Sequence, residues 1–524
     1  MKTFNTEGPV DCREHYCLQP LTRVDLKAIL GLIAAKKYFL LHAPRQTGKT
    51  TCLLSLMEHL NRQGLYRALY VNIESAQAAR ENVAQGITAV VDAIAGQARW
   101  FLGEADTEKL AREVLSEKTA LVALETFLRA WCAASGKPTV LLLDEVDALI
   151  GDTLISLLRQ LRSGYPNRPK LFPQSIVLCG VRDIRDYRIH SNMEKALITG
   201  GSAFNIKAES LRLGDFNQDD VKTLLLQHTD ETGQRFEPEA IETVWRLTCG
   251  QPWLVNALAY EACFKMPEGQ NRRVPITAAM IEAAKERLIQ SRATHLDQLS
   301  DKLQEDRVRR VIEPMMAGAS LESMNPDDIQ YLIDLGLCRL ETTGRLVIAN
   351  PIYREVLPRM LAWVTQASLP QITPTWLKPD GDLDAEALLD AFLRFWRQHG
   401  EPLLKSAAYH EIAPHLVLMA FLHRVVNAGG TIEREYAIGM GRMDLCVRYK
   451  NFVLGIELKV WREGEADPLS EGLDQIDGYL AGISQNTGWL VIFDRRSGLA
   501  PIRERTTTES AKTRSDRIIT VIRA

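Results

Sequence analysis

The sequence lacks the marks of several protein classes. It has no Cys-x-x-Cys pair, and its nine cysteines are scattered and odd in number. Several, such as Cys52, Cys179 and Cys446, lie in apolar surroundings. That pattern argues against a zinc ribbon or a disulfide framework and predicts reduced thiols. No uninterrupted apolar run approaches the roughly 18 residues a membrane span requires. No charged-then-apolar leader opens the chain. The expectation is a soluble, intracellular, cytoplasmic protein that does not engage a membrane. Neither sign of charge is in excess: 63 Lys and Arg face 66 Asp and Glu, for a net charge of −3. Such a balance gives no global attraction to nucleic acid, so any such contact must be a local patch. At 524 residues, 46% of them hydrophobic, the chain exceeds a single core, and two to four domains are expected.

What is present begins with a strand. Tyr38-Phe39-Leu40-Leu41-His42 is apolar, and Ala43-Pro44-Arg45-Gln46-Thr47-Gly48-Lys49-Thr50 follows it. Gly-Lys-Thr behind a strand and ahead of a helix holds a nucleoside triphosphate. Backbone N–H groups face the phosphates, and the helix N-terminus adds partial positive charge. Lys49 is placed to reach the β- and γ-phosphates, and the Thr50 hydroxyl to hold Mg²⁺. Ala43 stands where the first glycine of this motif is usual. Candidate ATP-binding residues are Ala43, Gln46, Thr47, Gly48, Lys49, Thr50 and Thr51.

A second motif follows in the right order: Thr139-Val140-Leu141-Leu142-Leu143-Asp144-Glu145-Val146-Asp147. Four apolar residues in a row read as a buried parallel strand. The carboxylates fall at its C-terminal end, where open α/β sheets bind ligands. Asp144 is expected to hold Mg²⁺ through water, and Glu145 to orient or deprotonate the attacking water. Alone, either motif also fits a buried strand ending in a solvated turn. Together they argue for a nucleotide site.

Around these motifs, residues 21–210 alternate strands and helices, which predicts a parallel sheet covered on both faces. Helices are expected from Leu26 to Ala35, from Lys49 to about Asn61, as two stretches over 78–134, and over 152–162. Strands are expected over Ala68–Ile73 and Ser175–Val181. Arg182 and Arg185 at the end of the latter can sense the γ-phosphate or pair with Asp183 and Asp186. Residues 211–304 read as a helical lid, with an N-cap at Asn217 and a turn at Gly250-Gln251-Pro252. Residues 305–365 read as helix, helix, strand pair, helix, a winged-helix pattern. Its recognition position (Pro326 to Leu335) is acidic, with Asp327, Asp328 and Asp334, which favours an internal module over a DNA reader. Pro370, Pro374, Pro379 and Gly381 mark residues 366–382 as a linker.

Residues 383–524 carry a separate constellation. Gly441-Arg442-Met443-Asp444-Leu445-Cys446-Val447 alternates as a strand, and Phe452-Val453-Leu454-Gly455-Ile456-Glu457-Leu458-Lys459-Val460 follows a short turn. Period two puts Glu457 and Lys459 on one face and Ile456, Leu458 and Val460 toward the core. A hairpin would gather Asp444, Glu457 and Lys459. Two carboxylates can hold Mg²⁺, and a lysine can orient water or stabilise a pentavalent phosphate. A surface salt-bridge ladder is the other reading of the same three residues. Nearby acids (Glu411, Glu433, Glu435), a helix at 470–483 carrying Gln475 and Tyr479, and a strand at Trp489–Asp494 suit a compact α/β nuclease core.

These motifs carry two resemblances. The first 365 residues resemble a prokaryotic P-loop ATPase of the AAA/STAND type, on the loop at 42–51, Leu141–Asp147, Gly180-Val181-Arg182, the Gly250–Pro252 turn and the wing ending at Asn350–Val356. The segment Gly8 to Tyr16 resembles the part of such proteins that precedes the nucleotide site. The last ~140 residues resemble the PD-(D/E)XK nuclease superfamily, on Gly441–Asp444, Glu457-Leu458-Lys459, Gln475 and Tyr479. By resemblance Asp444 and Glu457 bind Mg²⁺, with Mn²⁺ as a substitute, Lys459 is catalytic, and Gln475, Tyr479 and either Glu435 or Glu411 support the site. The proline of the signature is replaced by Met443. The implied fold class is α/β: a P-loop NTPase parallel sheet with helical lid and winged helix, followed by a small α/β restriction-endonuclease-like domain. The implied organisation is an N-terminal segment (1–20), ATPase core (21–210), lid (211–304), winged-helix-like module (305–365), linker (366–382) and nuclease-like domain (383–524).

The expected function is ATP binding and hydrolysis that controls a Mg²⁺-dependent nuclease acting on DNA, in a defence or mobile-element setting. The rival expectation is a signalling or scaffolding switch whose C-terminal domain only binds nucleic acid or a partner. Translocation along DNA ranks third, since no helicase motif series is present. The ATPase resemblance also implies a homo-oligomer that completes the ATP site with a neighbour's arginine, for which Arg159, Arg162 and Arg185 are only candidates.

Overall fold

A computed structural model describes residues 1–524 except 183–187, 191–196, 200–205, 292–293, 317–323, 369–374, 407–412, 427–429 and 434–444. The chain divides into two compact units. One is Met1–His295 with Gln330–Pro351, and the other is Leu296–Ile329 with Ile352–Ala524. The winged-helix expectation over 305–365 falls across both.

The first unit is built on strands β1 (Tyr38–His42), β2 (Arg67–Asn72), β3 (Thr139–Asp144) and β4 (Ser175–Gly180). A short antiparallel pair follows, β5 (Arg188–His190) with β6 (Leu197–Thr199), and then β7 (Lys207–Arg212). The sheet order is β2-β3-β4-β1-β7, and every pairing is parallel. β1, β3 and β4 are buried at every residue, as a sheet covered on both faces demands. Alternation divides their side chains. Tyr38 and Leu40 join the core under helices α3 (Val83–Leu102), α5 (Ala120–Ala133) and α6 (Gly151–Gly164). Phe39 and Leu41 join the core under α1 (Leu26–Ala34) and α2 (Lys49–Gln63).

Two expectations need correction here. Residues 78–134 hold three helices, because α4 (Asp106–Glu117) intervenes between α3 and α5. The break is local: Gly103 takes φ 72° and closes α3. β7 was not expected at all. Its sequence, Lys-Ala-Glu-Ser-Leu-Arg, has no apolar run, and it sits at the sheet edge, paired to β1 alone.

The lid begins with the helix Gln218–Thr232, opened by a capping box in which Asn217 and Asp220 exchange side-chain-to-backbone bonds. The helices Pro238–Thr248, Pro252–Tyr260 and Ala278–Gln290 follow. Strands β8 (Cys338–Leu340) and β9 (Leu346–Ile348) pair antiparallel, as the wing pattern expects.

Thiol chemistry departs from expectation at one place. Cys12 and Cys17 form a disulfide, with Cα atoms 5.4 Å apart. The turn between them, closed by His15 N–H donating to Asp11 C=O at 2.7 Å, brings the pair together. Composition gave no spacing motif for this link. The other seven cysteines lie outside this disulfide, and six of them are buried.

The second unit carries a six-stranded sheet in the order β10-β11-β12-β13-β15-β14. The strands are β10 (Gly430–Glu433), β11 (Leu445–Tyr449), β12 (Phe452–Trp461), β13 (Thr487–Asp494), β14 (Thr507–Lys512) and β15 (Ile518–Arg523). β10, β11 and β12 form an antiparallel meander; β12, β13 and β15 run parallel. The parallel step from β12 to β13 is made by the helix Leu469–Gly482. That helix lies close on the sheet: a Cβ at Gly455 would come within 2.8 Å of the Tyr479 ring. Among the described residues no helix is long and apolar enough to cross a membrane.

Candidate functional site

The loop after β1 turns tightly into α2. Gln46 and Gly48 take φ of 57° and 90°, left-handed values that glycine adopts freely and that aim successive N–H groups into one concavity. Thr47 Oγ1 donates to Pro44 C=O at 2.8 Å and pins the loop. Lys49 is only 6% exposed, and its ammonium donates to the carbonyls of Ala43 and Pro44, both at 3.0 Å. Thr50 Oγ1 donates to Asp144 Oδ2 at 2.7 Å, although the two are 94 residues apart in sequence. Asp144 is fully buried at the end of β3 and also accepts from Tyr70 Oη at 3.1 Å. The oxygen pair of Thr50 and Asp144 is the donor set a hard divalent cation such as Mg²⁺ takes. Sequence reasoning missed Tyr70, whose hydroxyl is the polar tip of an otherwise apolar strand residue.

Glu145 follows in the left-handed region, φ 59°. Strain of this kind in a residue with a side chain is tolerated where the surroundings hold it. Burial pushes its carboxyl above the ordinary carboxylate range, with the Lys49 charge opposing. A raised pKa suits a group that must accept a proton near neutral pH. Asp147 does different work: its carboxylate accepts from Val181 N–H and closes on Gly180, where a Cβ would clash. Arg182 leaves the end of β4, and its guanidinium lies 5.1 Å from the centroid of Tyr331. Arg185 lies outside the described residues.

Beside the loop is a cavity of about 110 Å³, walled by Gly48 and Thr51, by Tyr16 of the N-terminal segment, and by Phe216, Trp253 and Asn256 of the lid. The N-terminal segment is strapped across it. Val10 N–H donates to Thr51 Oγ1 at 3.1 Å. Cys17 trades two bonds with the Gln227 side chain, at 3.0 and 2.9 Å. Tyr16 Oη lies 3.1 Å from His228 Nδ1, and Trp253 Nε1 donates to Thr6 C=O at 2.9 Å. Arg23 crosses under the strap, donating to Thr47 C=O at 2.5 Å while stacked 4.7 Å from the Phe216 centroid. None of these lid and strap side chains was singled out from sequence, because they converge from distant segments. Only the Gly8–Tyr16 resemblance and the Gly250-Gln251-Pro252 turn pointed toward them. In that turn Gly250 takes φ 80° and Gln251 Oε1 caps the next helix, accepting from Leu254 N–H at 2.6 Å.

The second unit places the other constellation on β12. Glu457 and Lys459 share a face, as period two requires, but that face is interior. The helix Leu469–Gly482 covers it, leaving the two residues 1% and 5% exposed. Ile456 and Leu458 on the opposite face are buried as well, so β12 has no solvent side. Lys459 Nζ pairs with Glu457 Oε1 at 3.1 Å and donates to Gln475 Oε1. Gln475 in turn donates to Glu471 Oε1 at 3.2 Å. Tyr479 packs beside them against Gly455. Expected partners Asp444, Glu435 and Glu411 lie outside the described residues. Among the described residues no group of three or more His, Cys, Asp or Glu side chains could hold a metal ion.

Residues 25–171 match the AAA ATPase domain family, so this stretch of the first unit is a P-loop domain of the AAA ATPase type. No curated protein matches the chain. Among solved structures, the chain is similar to the Walker-type ATPase of Pyrococcus abyssi, at 15% identity over 68% of this chain and 99% of that one, with a TM-score of 0.46. It is also similar to the RuvB Holliday junction branch migration motor of Thermotoga maritima, at 12% identity over 64% and 95%, TM-score 0.31. Domain III of the replication initiation protein DnaA from Thermotoga maritima matches at 14% identity over 54% and 94%, TM-score 0.31.

Proposed function

We propose that this protein binds and hydrolyses ATP in its first unit and that nucleotide state governs a Mg²⁺-dependent nuclease, acting on DNA, in its second. The observation that carries the ATP half is the meeting of Thr50 and Asp144 at 2.7 Å beside Lys49. Loop N–H groups and the Lys49 ammonium donate to the β- and γ-phosphate oxygens. Thr50 and Asp144 would hold Mg²⁺, which neutralises charge on those oxygens. Glu145 accepts a proton as water attacks the γ-phosphorus, and the bond from that phosphorus to the bridging oxygen breaks, releasing ADP.

For the second half, the support is a lysine and a carboxylate held together on β12 and aligned by Gln475. Glu457 with Asp444 would hold Mg²⁺ or Mn²⁺, and Lys459 would stabilise charge on the phosphodiester as water attacks. A cytoplasmic protein that assembles with copies of itself remains part of this proposal. The test is plasmid cleavage with Mg²⁺ or Mn²⁺, with and without ATP, beside Lys459→Ala and Lys49→Ala. Cleavage lost in the first variant and altered in the second supports a nuclease under ATP control. Cleavage intact in Lys459→Ala removes the site assignment.

One observation favours the second reading, a switch whose C-terminal domain binds nucleic acid or a partner without cutting. Lys459 and Glu457 are both buried and already form an ion pair with one another. ATP hydrolysis and a nucleotide-dependent change of mass, with no cleavage of any DNA, support that reading.

A further inference from the structure

The cavity beside the phosphate loop is lined by a residue whose amide orientation is fixed by the backbone. Asn256 stands one turn beyond Pro252 on the helix Pro252–Tyr260 and is 7% exposed. Its Nδ2 donates to Pro252 C=O at 2.8 Å. Its Oδ1 is buried and has no hydrogen-bond partner among the described residues. A carbonyl oxygen can only accept, so the amide nitrogen must face Pro252. Turning the amide over would set two acceptors against each other. The helix therefore holds Asn256 with its acceptor left over, at the wall of the cavity.

The rest of that wall says what the acceptor meets. Tyr16, Phe216, Leu224 and Trp253 supply flat and apolar surface, the kind that encloses a heteroaromatic ring. Gly48 and Thr51 mark the phosphate end of the same cavity. A nucleotide held by the loop would carry its base toward the aromatic end. The common purines differ there at position six. Adenine has an amino group, which donates. Guanine and hypoxanthine have a carbonyl, which accepts.

We propose that Asn256 selects the base, with Oδ1 accepting a hydrogen bond from the 6-amino group of adenine and opposing 6-oxopurines. This rests on the nucleotide reading of the phosphate loop. Selection works in both directions: the amine satisfies a buried acceptor, and a carbonyl in its place leaves two acceptors facing each other.

The experiment is calorimetric binding of ATP and of inosine triphosphate to the full chain, wild type and Asn256→Leu. The two ligands share ribose and phosphates and differ at the six-position edge. In the wild type ATP should bind at least about tenfold more tightly, the size of one net hydrogen bond. In Asn256→Leu the ratio should fall toward one, through loss of ATP affinity and gain of inosine triphosphate affinity. Equal wild-type affinities overturn the proposal without any variant. So does an equal loss of both ligands in Asn256→Leu, which would mark a ribose contact or a packing role. If the wild type binds neither ligand, the nucleotide reading itself falls; if Lys49→Ala weakens both while the ratio persists, phosphate binding and base selection are separate, as proposed.

Discussion

Two buried lysines invite comparison. Lys49 and Lys459 are 6% and 5% exposed, yet their surroundings differ in kind. Lys49 rests on two backbone carbonyls of its own loop. Those hydrogen-bond partners are neutral, and the nearby Glu145 carboxylate acts on the ammonium only through space, so its donors stay suited to incoming phosphate oxygens. Lys459 faces a carboxylate, Glu457, and a neutral amide, Gln475. Its charge is balanced within the fold. Burial alone does not make a lysine a ligand-binding group; the formal charge of its partners decides what it can still attract.

Substitutions can sharpen that contrast. The largest effect is expected at Lys49. Lys49→Ala should lower ATP hydrolysis by about 10²–10³-fold and leave chemical unfolding of the second unit unchanged, read by malachite-green assay and by denaturant titration. Next comes Lys459→Ala, which strands the Glu457 carboxylate in the interior. It should cost the second unit about 3–5 kcal/mol of stability, with ATP hydrolysis within about twofold. A smaller effect would mean that Lys459 is not the counter-charge Glu457 needs, which would break the comparison. Third, the double change Glu457→Gln with Lys459→Met should recover most of that loss, because replacing both charges removes the stranded one. Non-additivity in a double-mutant cycle reads it directly.

The smallest effect concerns pH. Burial raises the Glu145 carboxyl above its ordinary value. A base must be ionised to act, so hydrolysis should fall as pH drops, and the midpoint of that fall should lie above the ordinary carboxylate value of about 4.3. Glu145→Gln should abolish the limb together with the rate. A midpoint at or below the ordinary value would place the titration on another group.

Legibility in sequence followed the same divide. The phosphate loop, β3 with Asp144 and Glu145, and the N-cap at Asn217 were readable, because each is a local pattern of neighbouring residues. The cavity wall was not. Tyr16, Phe216 and Asn256 become neighbours only after strap, core and lid fold together, and no spacing announces that. β7 and β14 escaped for a different reason. β7 is polar at an edge, and β14 is exposed along most of its length. Pairing, not hydrophobic periodicity, makes them strands. On β12 the period was right and its consequence was not: alternation sorted Glu457 and Lys459 onto one face, but could not reveal that the helix Leu469–Gly482 would cover it. The Cys12–Cys17 link was invisible because a four-residue gap between cysteines carries no geometric signature until a turn closes it.

That link and the strap together turn the protein into a readable lock. The Arg13 side chain is 88% exposed between the two cysteines, so trypsin can reach the bond after it. A cut there falls inside the disulfide ring, and residues 1–13 stay attached until a reductant opens it. Because the strap both walls the cavity and grips the lid helix, ligand and strap must favour one another equally. Digestion should slow as the cavity fills, and the short fragment should appear on a gel only after reduction.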